Sequence, residues 1–228
     1  MALRRPPPTS LRELEIRATA LAGHSIAEVA SALGVQLPLE PRRSKGFIGT
    51  LLEVALGADA DAHDGPDFVA LGVELKSIPV GPNGRPAEST FVCSIRMGSA
   101  DQEAWESSRL RRRLAQVLFV PVQSARVAPL PARRFGRPVF WSPSVEEQLL
   151  LRADWEELIG TIGAGHGDSL SARRGRILQV RPKASSSRER ILAPGGDGPQ
   201  HTLPLGFYLR ASFTAGVLVA GALRGGSR

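Results

Sequence analysis

The sequence predicts an α/β fold on three observations. Ser10 with Glu13, and Ser25 with Glu28, are helix-start signals, each followed by apolar residues at three- and four-residue spacing. Apolar, β-favouring runs recur further on, at 68–78, 90–95 and 117–122. The composition, 42% hydrophobic and 22% charged over 228 residues, is that of an ordinary folded chain able to bury a core in one domain or two lobes.

Taken in order, residues 1–9 are Pro-rich, lack the apolar stretch of a secretory signal and are expected to be disordered. The first helix carries Leu11, Leu14, Ala18 and Leu21 on one face and stops at Gly23; the second carries Ile26, Val29, Ala30 and Leu33 and stops at Gly34. The pair resembles a helix-turn-helix, but neither face carries a basic stripe, so both read as scaffold. A helix over 47–57, closed by Gly57, is apolar nearly all round and should be buried. In the polar loop after it, Asp59, Asp61, His63 and Asp64 read as solvated. Residues 68–78 read as one or two strands, Gly81 to Gly84 as a turn, and 90–95 as a strand antiparallel to the one bearing Glu74. A short helix over 109–114 turns Leu110, Leu114 and Val117 inward, and a buried strand occupies 117–122. Then come a basic loop over 126–137 and a helix capped by Ser144 and Glu147 with Leu151, Trp155 and Leu158 in the core. A flexible connector over 160–169, a strand over 173–180, a mobile loop over 185–200, a strand end at 206–210 and a last helix from Ser212 or Thr214 complete the chain.

The charge balance narrows the partners. Against 22 acidic residues stand 29 basic ones, a net +7 with a pI near 10.8, which favours an anionic partner, nucleic acid first. Of the cations 26 are arginine; Lys45, Lys76 and Lys183 are the only lysines. A chain that uses arginine for plain charge keeps lysine where a compact ammonium is required. The lone cysteine, Cys93, excludes an internal disulfide and suits a reducing cytosol. No run approaches the roughly 18 apolar residues of a membrane span.

The chemistry concentrates between Lys45 and Val80. On a strand, Glu74 and Lys76 share one face while Val73 and Leu75 turn to the other. With Asp67 they place two carboxylates and an ammonium together, a donor set that suits Mg²⁺ and leaves a lysine to act on an attacking water. Glu53, the only ionisable group between Lys45 and Asp59, sits in the apolar helix and needs a partner there. The spacing alone is weak, because Glu-x-Lys on a strand is ordinarily a solvated face. Lys45 begins the Glu53 helix, where the dipole disfavours a cation, so a phosphate or carboxylate partner is expected. The arginines of 109–113, Arg109 and Arg112 among them, read as phosphate-binding.

These stretches, Lys45 through Glu53 to Gly57 and Asp67 through Glu74 and Lys76 to Val80, resemble the MutH family of DNA mismatch repair endonucleases. The likeness continues through Gly84 to Pro86, Glu88 to Cys93, Trp105, Trp141, Asp154 to Leu158, Arg181 to Lys183 and Gly206 to Leu209, nearly the whole chain. The resemblance implies a restriction-endonuclease-like mixed sheet flanked by helices, in two lobes forming a DNA clamp. It places a catalytic lobe at about residues 10–100 and a DNA-reading lobe at about 101–228. It implies a cytoplasmic monomer that uses Mg²⁺ to nick the unmethylated strand at hemimethylated GATC sites, activated by MutL after mismatch recognition by MutS. Asp67 and Glu74 would hold the metal, Glu53 would complete or support its shell, and Lys45 would lie near the site and the DNA. Arg113 stands where the family has a further functional lysine; it keeps the charge but cannot transfer a proton. Arg181 and Pro182 match the recognition loop, and Tyr208 the residue that senses adenine methylation. Lys183, Phe91, Arg109 and Arg112 complete the expected DNA contacts, although Phe91 taken alone reads as core. Two alternatives stay open: a stand-alone restriction-type enzyme, and a catalytically idle DNA-binding protein, which would have no need of three carboxylates beside phosphate.

Overall fold

A computed structural model describes residues 5–39, 44–59, 65–170, 173–183, 190–193, 198 and 200–225. The helices are α1 (Leu11–Thr19), α2 (Ile26–Leu33), α3 (Ser44–Leu56), α4 (Arg109–Leu114), α5 (Val145–Gly163) and α6 (Ala211–Gly225). The strands are β1 (Glu74–Val80), β2 (Thr90–Ser94), β3 (Val117–Gln123), β4 (Val139–Trp141), β5 (Leu178–Pro182), β6 (Ile191–Ala193), β7 (Gln200–Thr202) and β8 (Leu205–Leu209). The class is mixed α/β, and the chain forms two units that are not consecutive halves. One comprises Met1–Glu88, Ala115–Ser142 and Ala215–Arg228; the other comprises Ser89–Leu114 and Pro143–Thr214.

In the first unit the sheet order is β1-β3-β4, with β1 parallel to β3 and β3 antiparallel to β4. Val117, Leu118, Phe119 and Val120 of β3 are fully buried, the continuous apolar run that a strand covered on both faces requires. Leu75, Leu118, Val120 and Val122 pack into one core with Leu14, Ala18, Ile26, Leu52 and Leu56 of α1, α2 and α3. On the other face Phe119 meets Trp141, ring centroids 6.0 Å apart. There a Cβ on Gly221 of α6 would lie 2.2 Å from Val139 Cγ1. Both early helices start as the sequence predicts: Glu13 N donates to Ser10 Oγ, and Ser25 and Glu28 form a complete capping box. Arg17 Nη1 donates to Leu56 O at the end of α3 and to Pro6 O, so Pro6 of the stretch expected to be disordered has a fixed partner.

Three expectations are corrected in this unit. β2 does not pair with the Glu74 strand; the hairpin after β1 stops at a single Val80–Pro86 bridge, because Pro79 accepts from Ala87 N but has no N–H to return the bond and extend a ladder. Helix α3 is not buried all round: Leu51, Leu52, Ala55 and Leu56 are inside, but Thr50 is exposed and Glu53 half-buried. Asp59 is not simply solvated. Its N–H donates to Asp67 O (3.1 Å) and its Oδ1 accepts from Val69 N (2.9 Å). Asp61, His63 and Asp64 lie outside the described residues.

In the second unit β8 is the centre of an antiparallel sheet ordered β2-β8-β5. Phe91 faces Tyr208, which faces Gln179; Arg181 faces Gly206. Leu151, Trp155 and Leu158 of α5 are buried as expected, with Trp155 against Trp105 (5.8 Å between centroids), and Cys93 is buried. The expected flexible connector over 160–169 is instead the last turn of α5 followed by a 3₁₀ turn, Gly167–Ser169. Part of the expected mobile loop over 185–200 is ordered, since β6 pairs antiparallel with β7; residues 184–189, 194–197 and 199 lie outside the described residues. The stretch 173–177 is turn rather than strand, and β5 begins only at Leu178. Val117 is buried in β3 and is no part of α4.

Candidate active site and nucleic-acid face

In the first unit, β1 is an edge strand among the described residues, which leaves alternate N–H groups without a ladder partner there. Glu74 N donates inward to Gln116 O, whereas Leu75 N donates to Asp67 Oδ2 at 2.7 Å. Asp67 is therefore fixed on the strand by its own carboxylate. A 3₁₀ turn, Val69–Leu71, and Gly72 at φ 66° bring the chain back from Asp67 to β1, and Phe68 and Val73 exchange backbone hydrogen bonds across it. Asp59 holds this turn from outside. Sequence reading gave Asp59 no role, and its only signal is its place two residues after Gly57.

Glu74 and Lys76 share a face of β1, opposite the core face of Val73 and Leu75, as the alternation predicts. Glu74 has no exposed surface, and Lys76 Nζ donates to Glu74 Oε1 at 2.5 Å from a side chain 15% exposed. The charge of a buried carboxylate is costly without such a partner. The pair is thus a buried anion beside an ammonium that still reaches solvent, and the Asp67 carboxylate is bonded to the backbone N–H of Leu75, the residue between them. Glu53 is half-buried on α3, which packs against β1. Among the described residues no group of three or more Asp, Glu, His or Cys side chains is arranged to hold a metal ion. Lys45 lies in the first turn of α3, and its side chain is outside the described residues.

In the second unit, one face of the β2-β8-β5 sheet collects aromatic and basic side chains. Gln179, Arg181 and Lys183 alternate onto one side of β5 and its extension. Lys183 Nζ lies 3.7 Å from the Phe91 ring centroid, a cation–π contact, and donates to Ser94 Oγ at 3.3 Å. Phe91 and Tyr208 meet edge to face at 5.3 Å. Phe91 is half-buried here rather than a core residue. Gly206 makes room for it, because a Cβ there would lie 2.9 Å from Phe91 Cε2. The exposed Arg181 donates through Nη1 to Ser89 Oγ at 2.9 Å. Pro182 is exposed and, by alternation, belongs to the opposite side of β5. Sequence reading missed Ser89 and Ser94, which carry no local signal.

Arg109 to Arg113 form α4 as predicted, with Leu110 and Leu114 buried beneath. Arg112 Nη1 donates to Ser107 O and Arg111 Nη1 to Glu106 O, so these exposed guanidinium groups are held on the backbone of the preceding turn. Arg109 and Arg113 are half-buried. Held arginines with spare donors suit phosphate contact without reading sequence.

Residues 56–154 match the family model described as "DNA mismatch repair enzyme MutH". The chain is 46% identical over 213 residues to the DNA mismatch repair protein MutH of Klebsiella pneumoniae (strain 342), covering 93% of this chain and 92% of that protein. It is 47% identical over 216 residues to the protein of the same name from Vibrio parahaemolyticus, covering 94% and 96%. It is 47% identical over 213 residues to that of Salmonella paratyphi C, covering 93% and 92%.

Proposed function

The chain belongs to the MutH family of DNA mismatch repair endonucleases, and from that premise we propose that it nicks the unmethylated strand of hemimethylated GATC sites with Mg²⁺. The reading has the chain working as a cytoplasmic monomer, activated by MutL once MutS has found a mismatch. It gives the fold as restriction-endonuclease-like, with two lobes that clamp duplex DNA. Among the described residues no helix is long and apolar enough to cross a membrane.

The observation that carries the proposal is Glu74, a fully buried carboxylate beside Lys76 on a strand whose edge is capped by Asp67. Two carboxylates are hard oxygen donors, and Mg²⁺ takes one or two of these together with substrate phosphate oxygens, so the residues present fit the ion. Asp67 and Glu74 would hold it, with Glu53 in support. When bound, Mg²⁺ polarises the scissile phosphate and acidifies the attacking water. Lys76 Nζ holds that water in line and offsets the charge that develops on the phosphate oxygens. Lys45 and Arg113 add positive potential toward the phosphates. Arg113 does so as a fixed cation, which an electrostatic role permits.

Base reading is assigned to the aromatic and basic face of the second unit. Arg181 and Lys183 carry donors that suit guanine edges, Tyr208 and Phe91 supply apolar surface against base methyls, and Pro182 flanks them. Arg109 and Arg112 contact phosphate. Removing the Glu74 carboxylate tests the site: Glu74→Ala is expected to abolish cleavage while leaving duplex affinity equal or higher, because a negative charge beside phosphate is gone. Equal loss of binding and cleavage would overturn the role given to Glu74.

A further inference from the structure

Asp154 takes no part in the chemistry above, yet it is a carboxylate only 3% exposed on the inner face of α5. It accepts from three successive backbone N–H groups. Arg176 N reaches both oxygens (2.8 and 2.9 Å), Ile177 N lies at 2.7 Å and Leu178 N at 2.8 Å. Consecutive N–H groups converging on one anion form a rigid nest. Arg210 holds the same turn from another side. Its Nε donates to Gly175 O (3.0 Å), its Nη2 to Arg174 O (2.8 Å) and its backbone N–H to Ile177 O (2.9 Å). Gly175 sits at φ 79°, and a Cβ there would lie 2.3 Å from Leu178 O, so the turn accepts only glycine.

This turn launches β5. Leu178 is the first residue of the strand, and Arg181 and Lys183 follow with no further turn between. Among the described residues β5 is an edge strand paired with β8 alone, and Leu178, Gln179 and Val180 are all buried. With both faces covered, alternation of burial specifies the register only weakly, while a one-residue slip would move Arg181 and Lys183 to the other face. The clamped turn removes that freedom.

We infer that Asp154 and Arg210 clamp the 174–178 turn, fix the register of β5 and so aim Arg181 and Lys183 at the bases. They are positioning residues for sequence selectivity. The inference rests on the DNA-reading role proposed above for the Arg181 face.

The test compares single-turnover cleavage, with Mg²⁺, of a hemimethylated GATC duplex and of duplexes with one base pair of the site replaced. Asp154→Asn keeps the shape and one acceptor oxygen but removes the charge and turns an NH2 toward Arg176 N, which both carboxylate oxygens now hold; Arg210→Gln removes the second hold. Each is expected to narrow the ratio of cognate to altered-site rates by about tenfold, the scale of one bidentate base contact. Affinity for a duplex lacking the site should not change. In an Arg181→Ala background, Asp154→Asn should add less than about twofold, since the two act as a unit. A thermal melt reports folding, and if Asp154→Asn does not fold, Arg210→Gln decides. Equal slowing on every duplex, with the ratio intact, would overturn the clamp. If Arg181→Ala narrows the ratio and the clamp variants do not, the clamp alone falls. If Arg181→Ala also leaves the ratio unchanged, the DNA-reading role of the face falls and the inference with it.

Discussion

Glu74 and Lys76 set the terms at the scale of single residues. Glu74 has no exposed surface and Lys76 very little, so each needs the other. Breaking a buried pair leaves an uncompensated charge and costs about 3–5 kcal/mol. Lys76→Ala is therefore expected to lower stability by about that much in urea unfolding, and to abolish nicking as well. Lys76→Arg separates the two effects. It keeps a cation near Glu74 and should recover much of the stability, yet cleavage should stay low because a planar guanidinium cannot replace a compact ammonium beside the attacked phosphate. Full recovery of both would show that Lys76 acts as charge alone. The Glu74–Lys76 pair was legible from period-two alternation, and Asp67 from its proximity in sequence. Asp59 and Ser89 were not, because each acts through a backbone or side-chain contact that only the folded turn creates.

At the scale of elements, helix starts were the most legible feature because a capping box is a local device. Ser25 and Glu28 complete theirs, and Ser25→Ala is expected to cost about 1 kcal/mol in thermal unfolding. The Ser25 backbone N–H, then its hydroxyl, hold the Glu28 carboxyl below its ordinary value. A depressed carboxylate pKa adds stability that is present above the ordinary value and lost as pH falls through the folded one. Glu28→Gln should therefore flatten part of the acid limb of the stability profile and leave stability near neutral pH lower than in the parent. Strand partners were illegible for the opposite reason. β2 looks able to pair with β1, but the hairpin ends at Pro86 and β2 pairs with β8, more than a hundred residues on. Asp154 could have been found: with Leu151, Trp155 and Leu158 it occupies the apolar stripe of α5, where a carboxylate must have partners. On β8, Gly206→Ala would push Phe91 from its place over the sheet. It should lower site selectivity, read as the ratio of cognate to altered-site cleavage, more than it lowers the melting temperature.

Across the whole molecule, composition and charge pointed to nucleic acid. The class of fold followed from counting helices and strands. The assembly of the units did not follow, because each is built from separate stretches: the link between β1 and β3 contributes to the second unit, and α6 begins in the second unit and ends in the first. Long-range closure of that kind leaves no periodic mark in the chain. The family likeness, by contrast, spans more than nine-tenths of the sequence and takes in Asp67 and Glu74 as well as the stretches that carry Arg181, Lys183 and Tyr208. The measurement that bears most directly on the proposed function is strand-resolved cutting of a duplex with one GATC site, unmethylated, hemimethylated or fully methylated, in Mg²⁺ with and without MutL. Nicking confined to the unmethylated strand and strongly raised by MutL is the expected result. Rapid double-strand cutting indifferent to MutL, or binding with no cutting under any condition, would contradict it.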